Sequence, residues 1–283
     1  MPKVGLVCDS TCDLEPSWLA EHDIELVPLT VLFGDETFLD WVELRPADFY
    51  ARLKKFDGQA KTSQPSPADF QAAYKRLADK GCEGIVVMTL ASALSGTYES
   101  ATLAAAEAPV PVRVVDSRSI TQGLGMVVKA AMRARDAGGD LDEVERVADK
   151  AAEEVHIYFV VETMEYLVKG GRAGRAQGAA ASLLNIKPVL HIGRDGVIET
   201  FKKVKGTRSA IDEITAEVAR VSAEQPMLVT LLCGEREDLV EMMRASLAAS
   251  GARYEIESEG KVGAVIGVHT GPEVVGLAYH PMP

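Results

Sequence analysis

Gly84-Ile85-Val86-Val87-Met88-Thr89-Leu90, then Ala91-Ser92-Ala93-Leu94-Ser95-Gly96-Thr97-Tyr98, then Glu99 to Glu107, decide the fold class of this chain. A short, unbroken run of β-branched and other apolar residues reads as a buried strand. The alanine-rich stretch after it reads as a helix. Hydroxyls and a glycine therefore sit where a strand ends and a helix begins. Free backbone N–H groups and the helix dipole favour an anion at such a place. In open α/β sheets, ligands gather at the carboxyl ends of strands.

Working outward, Val4 to Cys8 reads as a first strand, and Asp9-Ser-Thr-Cys-Asp13 as a turn before a short helix from Pro16. Residues 24–28 and 29–33 are β-rich. Arg45-Pro46 opens a helix to about Phe56, with proline in its first turn. Thr62-Ser-Gln-Pro-Ser-Pro67 reads as a rigid polar loop, and Ser66 caps the helix that follows. The apolar run 111–116 predicts a further parallel strand in a central position. Helices are expected over 121–137 and 141–154, with Gly138-Gly139 breaking them apart.

This alternation argues for a parallel-sheet βαβ domain over residues 1–156. Residues 157–283 read differently. Strands are expected at 157–161, 183–190, 197–204, 227–233, 252–256 and 262–269, with a hairpin turn at Gly193-Arg-Asp-Gly196. Helices are expected at 207–221 and 236–249. The fold class is therefore α/β, with a second α/β domain whose sheet is mixed or antiparallel.

Composition narrows the function. The chain has 283 residues, 47% hydrophobic and 25% charged, with a net charge of −12. That charge argues against a general nucleic-acid binder. No apolar run is long enough to span a bilayer, so no integral membrane segment is expected. No signal peptide is visible after Met1-Pro2-Lys3, which makes a cytoplasmic location the expectation. Cys8, Cys12, Cys82 and Cys233 form no Cys-x-x-Cys pair and read as buried thiols, not metal ligands. No metal site or catalytic metal motif is expected.

Ser95 reads either as the cap of its helix or as an anion ligand. A third reading makes it a nucleophile with His269 as base, in a hydrolase or acyltransferase. Ala-Leu-Ser-Gly-Thr fits the Gly-x-Ser-x-Gly elbow poorly. Thr62 and Ser63 lie in a segment stiffened by prolines, where a solvated loop and a binding loop read alike. His269, before Gly271-Pro272, is either structural or a donor to a carboxylate. The basic, glycine-rich segment Lys169 to Gly178, which carries Arg172, is either a hinge or an anion-contact patch. With the Ser95 loop it also admits a binder of a small phosphorylated metabolite. There is no P-loop and no Gly-x-Gly-x-x-Gly after the first strand.

Six segments in this order resemble the DegV family: Asp9-Ser-Thr-Cys-Asp-Leu14, Thr62-Ser-Gln-Pro-Ser-Pro67, Leu94-Ser-Gly-Thr-Tyr98, Gly170-Gly-Arg172, Leu183-Leu-Asn-Ile-Lys-Pro188 and His269-Thr-Gly-Pro272. The likeness spans essentially the whole chain. It departs after Gly-Gly-Arg, where Ala173-Gly174 replaces a bulkier apolar residue. Members of that family include the fatty-acid-binding subunits of bacterial fatty acid kinase. The resemblance implies a non-catalytic protein holding one long-chain fatty acid between its domains, with no further cofactor. It implies that Thr62 and Ser95 bind the carboxylate and that His269 lies beside it. Ser63, Gly96, Thr97, Arg172 and Thr270 would be the nearby or supporting residues. The partner implied is a separate ATP-dependent kinase subunit, whose acyl phosphate product feeds phospholipid synthesis.

An anionic head on a long apolar tail makes physical sense of these residues. Neutral hydroxyls avoid the cost of burying a permanent ion pair. The tail is worth about 0.8 kcal/mol per buried CH₂, or on the order of 12 kcal/mol for about sixteen carbons before ordering costs. The tail therefore sets affinity and the head sets orientation.

Overall fold

The structure is a computed structural model that describes residues 3–179 and 186–282. The first half runs β1 (Val4–Asp9), α1 (Pro16–Glu21), β2 (Ile24–Val27), β3 (Thr30–Phe33), β4 (Glu36–Leu39), α2 (Pro46–Leu53), β5 (Lys61–Ser63), α3 (Pro67–Asp79), β6 (Gly84–Thr89), α4 (Thr97–Ala105), β7 (Val112–Asp116), α5 (Thr121–Asp136) and α6 (Leu141–Glu154). The second runs β8 (His156–Val160), α7 (Glu165–Lys169), β9 (Ile186–Ile192), β10 (Ile198–Lys205), α8 (Gly206–Ser222), β11 (Met227–Cys233), α9 (Glu237–Ala249), β12 (Tyr254–Lys261), α10 (Ala264–Thr270) and β13 (Val275–Pro281). The expected strand at 183–190 begins in part outside the described residues.

The first sheet is parallel, in the order β2-β1-β6-β7. Every residue of β1 and β6 is buried, as their unbroken apolar runs require. Alternation divides them between two cores. Val7, Ile85 and Val87 pack with Phe70, Tyr74 and Ala101 of α3 and α4. Leu6, Cys8, Val86 and Met88 face the other way, toward Leu124, Val127 and Val128 of α5. The strand expected to be central, β7, is instead the edge; only Val115 on it is buried. Its apolar run is half-covered by α4 and α6, so run length overstated its depth.

The second sheet is mixed, in the order β10-β9-β8-β13-β11-β12. One of its faces carries Ile157, Phe159, Leu190 and Ala278 into the same core as α5 and α6, which thus lie between the two sheets. Being covered on both sides, α5 buries eleven of its residues, Gly123 and Gly125 among them. The opposite face packs Tyr158, Leu231 and Leu277 against Ile211, Ile214 and Met243 of α8 and α9.

A small third sheet, β4-β3-β5, is antiparallel. It takes the first two residues of the expected polar loop at 62–67 into a strand, with Thr62 in register with Val31, and leaves residues 64–66 as the loop before α3. The largest departure is at 262–269, where a strand is expected and α10 is found. Gly263-Ala-Val-Ile-Gly267 is too short for period to distinguish strand from buried helix. Bonds from distant residues to the first amides of this segment settle it. The last strand, β13, was not anticipated, yet it lies inside the second sheet between β8 and β11.

Candidate functional site

Thr62, Ser95 and His269, which lie 33 and 174 residues apart in sequence, line one partly enclosed cavity of about 290 Å³. Three kinds of element deliver them. Strand β5 carries Thr62, the loop from β6 to α4 carries Ser95, and the last turn of α10 carries His269. Ser63, Arg172 and Thr270 line the cavity too.

The His269 Nε2 lies 2.9 Å from Thr62 Oγ1, while its Nδ1 is buried with no partner. Leaving an N–H orphaned is costlier than leaving a lone pair orphaned. This assigns the proton to Nε2, which donates to Thr62 and frees the Thr62 hydroxyl to donate into the cavity. Burial, with the Arg172 cation nearby, pushes the imidazole pKa down to about 4, so His269 is neutral near pH 7. Gly170 makes this placement possible. A β-carbon there would lie 2.2 Å from His269 Nδ1, so part of the glycine-rich segment is a packing requirement.

The hydroxyl cluster around Ser95 resolves into separate roles. Ser92 donates to Asp116 Oδ2 at 2.5 Å and is occupied there. The Thr97 side chain is buried, 2.9 Å from Ser95 Oγ. Ser95 Oγ also lies 3.3 Å from the Thr97 amide and lines the cavity, but the cap position of α4 falls one residue later, on Gly96, which has no side chain to cap it, so the expected serine cap is not formed. The recorded partner of Ser95 is Thr97, whereas His269 is engaged with Thr62. The nucleophile–base pair of the hydrolase reading is thus not formed, and a histidine pushed down to about 4 is a poor base near pH 7.

Arg172 spans the two halves. Its Nη1 donates to the Gly170 carbonyl at 2.8 Å and its Nε to the Leu94 carbonyl at 3.2 Å, next to Ser95. The other basic groups of that segment are neutralised locally: Lys169 by Glu165, Arg175 by Asp195 and Glu199. Thr270 donates to the Ile266 carbonyl at 3.0 Å, an intrahelical bond.

Sequence reasoning missed Gln64. It lines the cavity, donates to the Gly96 carbonyl at 3.2 Å and to Ser100 Oγ at 3.1 Å, and lies so close to Gly96 that a β-carbon there would clash at 2.3 Å. Its place between Ser63 and Pro65 was the available signal. It also missed the apolar lining. Leu29, Leu90, Leu94 and Ile120 come from the first half, and Leu167, Ile198, Val265 and Ile266 from the second. No local pattern links residues so far apart. The cavity thus joins a cluster of neutral donors beside one guanidinium to an extensive aliphatic wall. Among the described residues, no group of three or more His, Cys, Asp or Glu is placed to hold a metal, and no helix is long and apolar enough to cross a membrane. The four cysteines are buried and none is in a disulfide.

Two sheets with α5 and α6 between them, and an amphipathic cavity built from both halves, define a two-part α/β architecture. The chain belongs to the DegV family: the family model described as "Uncharacterised protein, DegV family" matches residues 3–282. It is 37% identical over 279 residues to a DegV domain-containing protein of Streptomyces coelicolor, covering 97% of each chain. It is 32% identical over 284 residues to a fatty acid-binding protein of Thermotoga maritima, covering 97% of this chain and 96% of that one. The solved structure of a fatty-acid-binding DegV family protein from Thermus thermophilus superposes with a TM-score of 0.92 at 32% identity, over 100% of both chains.

Proposed function

We propose that this protein binds one long-chain fatty acid in the cavity between its halves and presents the carboxylate to a separate ATP-dependent kinase subunit. The observation that carries the reading is the Thr62–His269 bond of 2.9 Å at the wall of a cavity otherwise lined largely by aliphatic side chains. In this reading Thr62 and Ser95 donate to the carboxylate. His269, neutral near pH 7, fixes the direction of the Thr62 hydroxyl. Arg172 supplies a nearby positive charge while its own donors stay on the Leu94 and Gly170 carbonyls. Ser63, Gly96, Thr97 and Thr270 support that arrangement, and Gln64 joins them.

The protein itself is then a carrier and not the catalyst. Phosphoryl transfer to the bound carboxylate would be the partner's chemistry, yielding an acyl phosphate for phospholipid synthesis. We place the domain boundary near residue 156, where β8 starts, with the ligand in the cleft between the domains, and the protein in the cytoplasm. Fatty acid binding by the Thermotoga and Thermus relatives supports the ligand class.

The test is delipidation followed by titration with palmitate, together with native mass spectrometry of the protein as purified. Uptake of one fatty acid per chain is expected. Failure to take up any fatty acid of about fourteen to eighteen carbons would sink the reading. Adding a fatty acid kinase subunit and ATP tests presentation; an unphosphorylated ligand with every such kinase tried would reject that part alone.

A further inference from the structure

Below the cavity lies a second buried polar cluster, formed by the segment Asp9-Ser-Thr-Cys-Asp13 and Asp40. Asp9 and Asp40 are 0% exposed, and among the described residues no lysine or arginine pairs with Asp9, Asp13 or Asp40. Their partners are backbone amides and neutral side chains. Asp9 Oδ2 accepts from the Leu90 amide at 2.7 Å, at the root of the loop that carries Ser95. Ser10 Oγ accepts from the Leu29 amide at 3.1 Å and donates to Asp40 Oδ2 at 2.8 Å. Asp40 Oδ1 accepts from the Ala264 amide at 3.1 Å, and the Val265 amide bonds the same carboxyl group. Asp13 Oδ1 accepts from Trp41 Nε1 at 2.9 Å, and the Gly263 amide bonds the Asp13 carboxyl. Leu29, Leu90 and Val265 all line the cavity.

Those of Asp13 and Asp40 share one destination, whereas Asp9 and Ser10 hold the Leu90 and Leu29 amides. Residues of the first half grip the start of α10, a seven-residue helix that belongs to the second half and ends on His269 and Thr270. At about 1.5 Å per residue, His269 sits less than about 10 Å along the helix axis from the amides that Asp40 holds. A helix this short moves as a rigid rod, so its gripped end fixes where the imidazole stands. The contact between His269 and Thr62 joins α10 to β5 across the two halves and tolerates little displacement.

We propose that Asp40, braced by Ser10, is a positioning residue for the carboxylate site: it holds α10 so that His269 meets Thr62. The role rests on the fatty-acid reading for its consequence and on the His269–Thr62 bond for its geometry, so the two can be tested apart. The Thr62 hydroxyl is turned toward the carboxylate only when that bond is made. Loss of the grip therefore costs recognition of the head, while the aliphatic wall goes on holding the tail.

The experiment compares palmitate with 1-hexadecanol, which has the same tail and no carboxylate, in delipidated wild type, Asp40→Ala, Asp40→Asn and Ser10→Ala proteins. The ¹⁵N spectrum of the His269 ring is recorded without ligand. Asp40→Ala is expected to lose about tenfold in palmitate affinity and threefold or less in hexadecanol affinity, and to turn a single Nε2–H tautomer into a mixture. Asp40→Asn keeps an acceptor for the Ala264 amide and is expected to recover most of the preference for acid over alcohol. Ser10→Ala is expected to give a weaker loss in the same direction and covers the case in which Asp40→Ala does not fold. Equal losses of both ligands, or an unchanged His269 tautomer in Asp40→Ala and Ser10→Ala, would overturn the positioning role. A wild-type protein that takes up neither ligand would overturn the fatty-acid reading instead, and the ring spectrum alone would then decide for or against Asp40.

Discussion

Two polar clusters sit close together in this protein, one buried and one half-buried at a cavity wall, and they are built for opposite ends. The first, Asp9, Ser10, Asp13 and Asp40, directs most of its acceptors to the protein's own amides and donors. The second, Thr62, Ser95, His269 and Arg172, keeps capacity in hand. The Thr62 hydroxyl receives a bond from His269 and still has a proton to give. Buried polarity that is satisfied internally builds a fold, whereas buried polarity with a donor left over at a cavity wall makes a site. Carboxyl groups, each with two acceptor oxygens, suit the first task, and hydroxyls and an imidazole suit the second.

The largest expected effect breaks the binding cluster. Thr62→Ala combined with Ser95→Ala removes the two hydroxyls proposed to donate to the carboxylate, and a hydrogen bond to a charged group is worth about 1.5–3 kcal/mol. Affinity for palmitate should fall at least a hundredfold, read by displacement of a fluorescent fatty acid; a fall under threefold would reject their assigned role.

The next tests the structural cluster through pH. Burial pushes the Asp40 carboxyl up to about 7 and that of Asp9 up to about 6, against Ser10, Thr11 and backbone bonds that pull the other way. A carboxyl whose pKa is raised on folding binds more protons in the native than in the unfolded state. Its contribution to stability is therefore fully present below about pH 4 and is lost as pH rises through about 7. Asp40→Asn should remove on the order of 2–4 kcal/mol of that decline, seen as a flatter dependence in urea unfolding between pH 4.5 and 8. An unaltered slope would mean that Asp40 does not titrate there.

His269 gives the opposite sign. Its pKa is lowered to about 4, so the stability it contributes is present above about 6.5 and lost as pH falls toward 4. A smaller effect on binding is expected for Gly170→Ala, whose new methyl group would meet His269 Nδ1 at 2.2 Å and the Tyr166 carbonyl at 3.0 Å. About a tenfold loss of palmitate affinity should accompany 1–3 kcal/mol of destabilisation in the same titration and melt. The smallest effect belongs to Thr270→Val. Its hydroxyl is bonded within α10, so affinity should stay within about threefold; a larger loss would move Thr270 into the group that touches the carboxylate.

Legibility followed the range of the interactions. The unit from Gly84 to Ala105 was readable because its signals are local: an apolar run, a glycine and hydroxyls at the junction, then an alanine-rich helix. Ser95 was readable for the same reason. Thr62 was singled out as a residue but misplaced in a loop, because the partner that makes β5 a strand is Val31, far away in sequence. The strand expected at 262–269 failed because the groups that grip the start of α10, Asp13 and Asp40, lie more than 220 residues upstream. Gln64 and the aliphatic lining left no periodic trace. Their roles come from converging loops, strands and helix ends.

The sequence by itself determined that this is an α/β protein with a hydroxyl-bearing junction after its β6 strand, since hydrophobic runs and cap residues act over a few positions of chain. Only the tertiary structure decided that the Ser95 loop shares a cavity with Thr62 and His269. It alone made a helix of 264–270, an edge of β7, and a grip on the fold of Asp40. Those outcomes depend on which amides and side chains meet across the packed halves. Burial makes those meetings obligatory, because polar groups removed from water must find partners wherever the fold brings them.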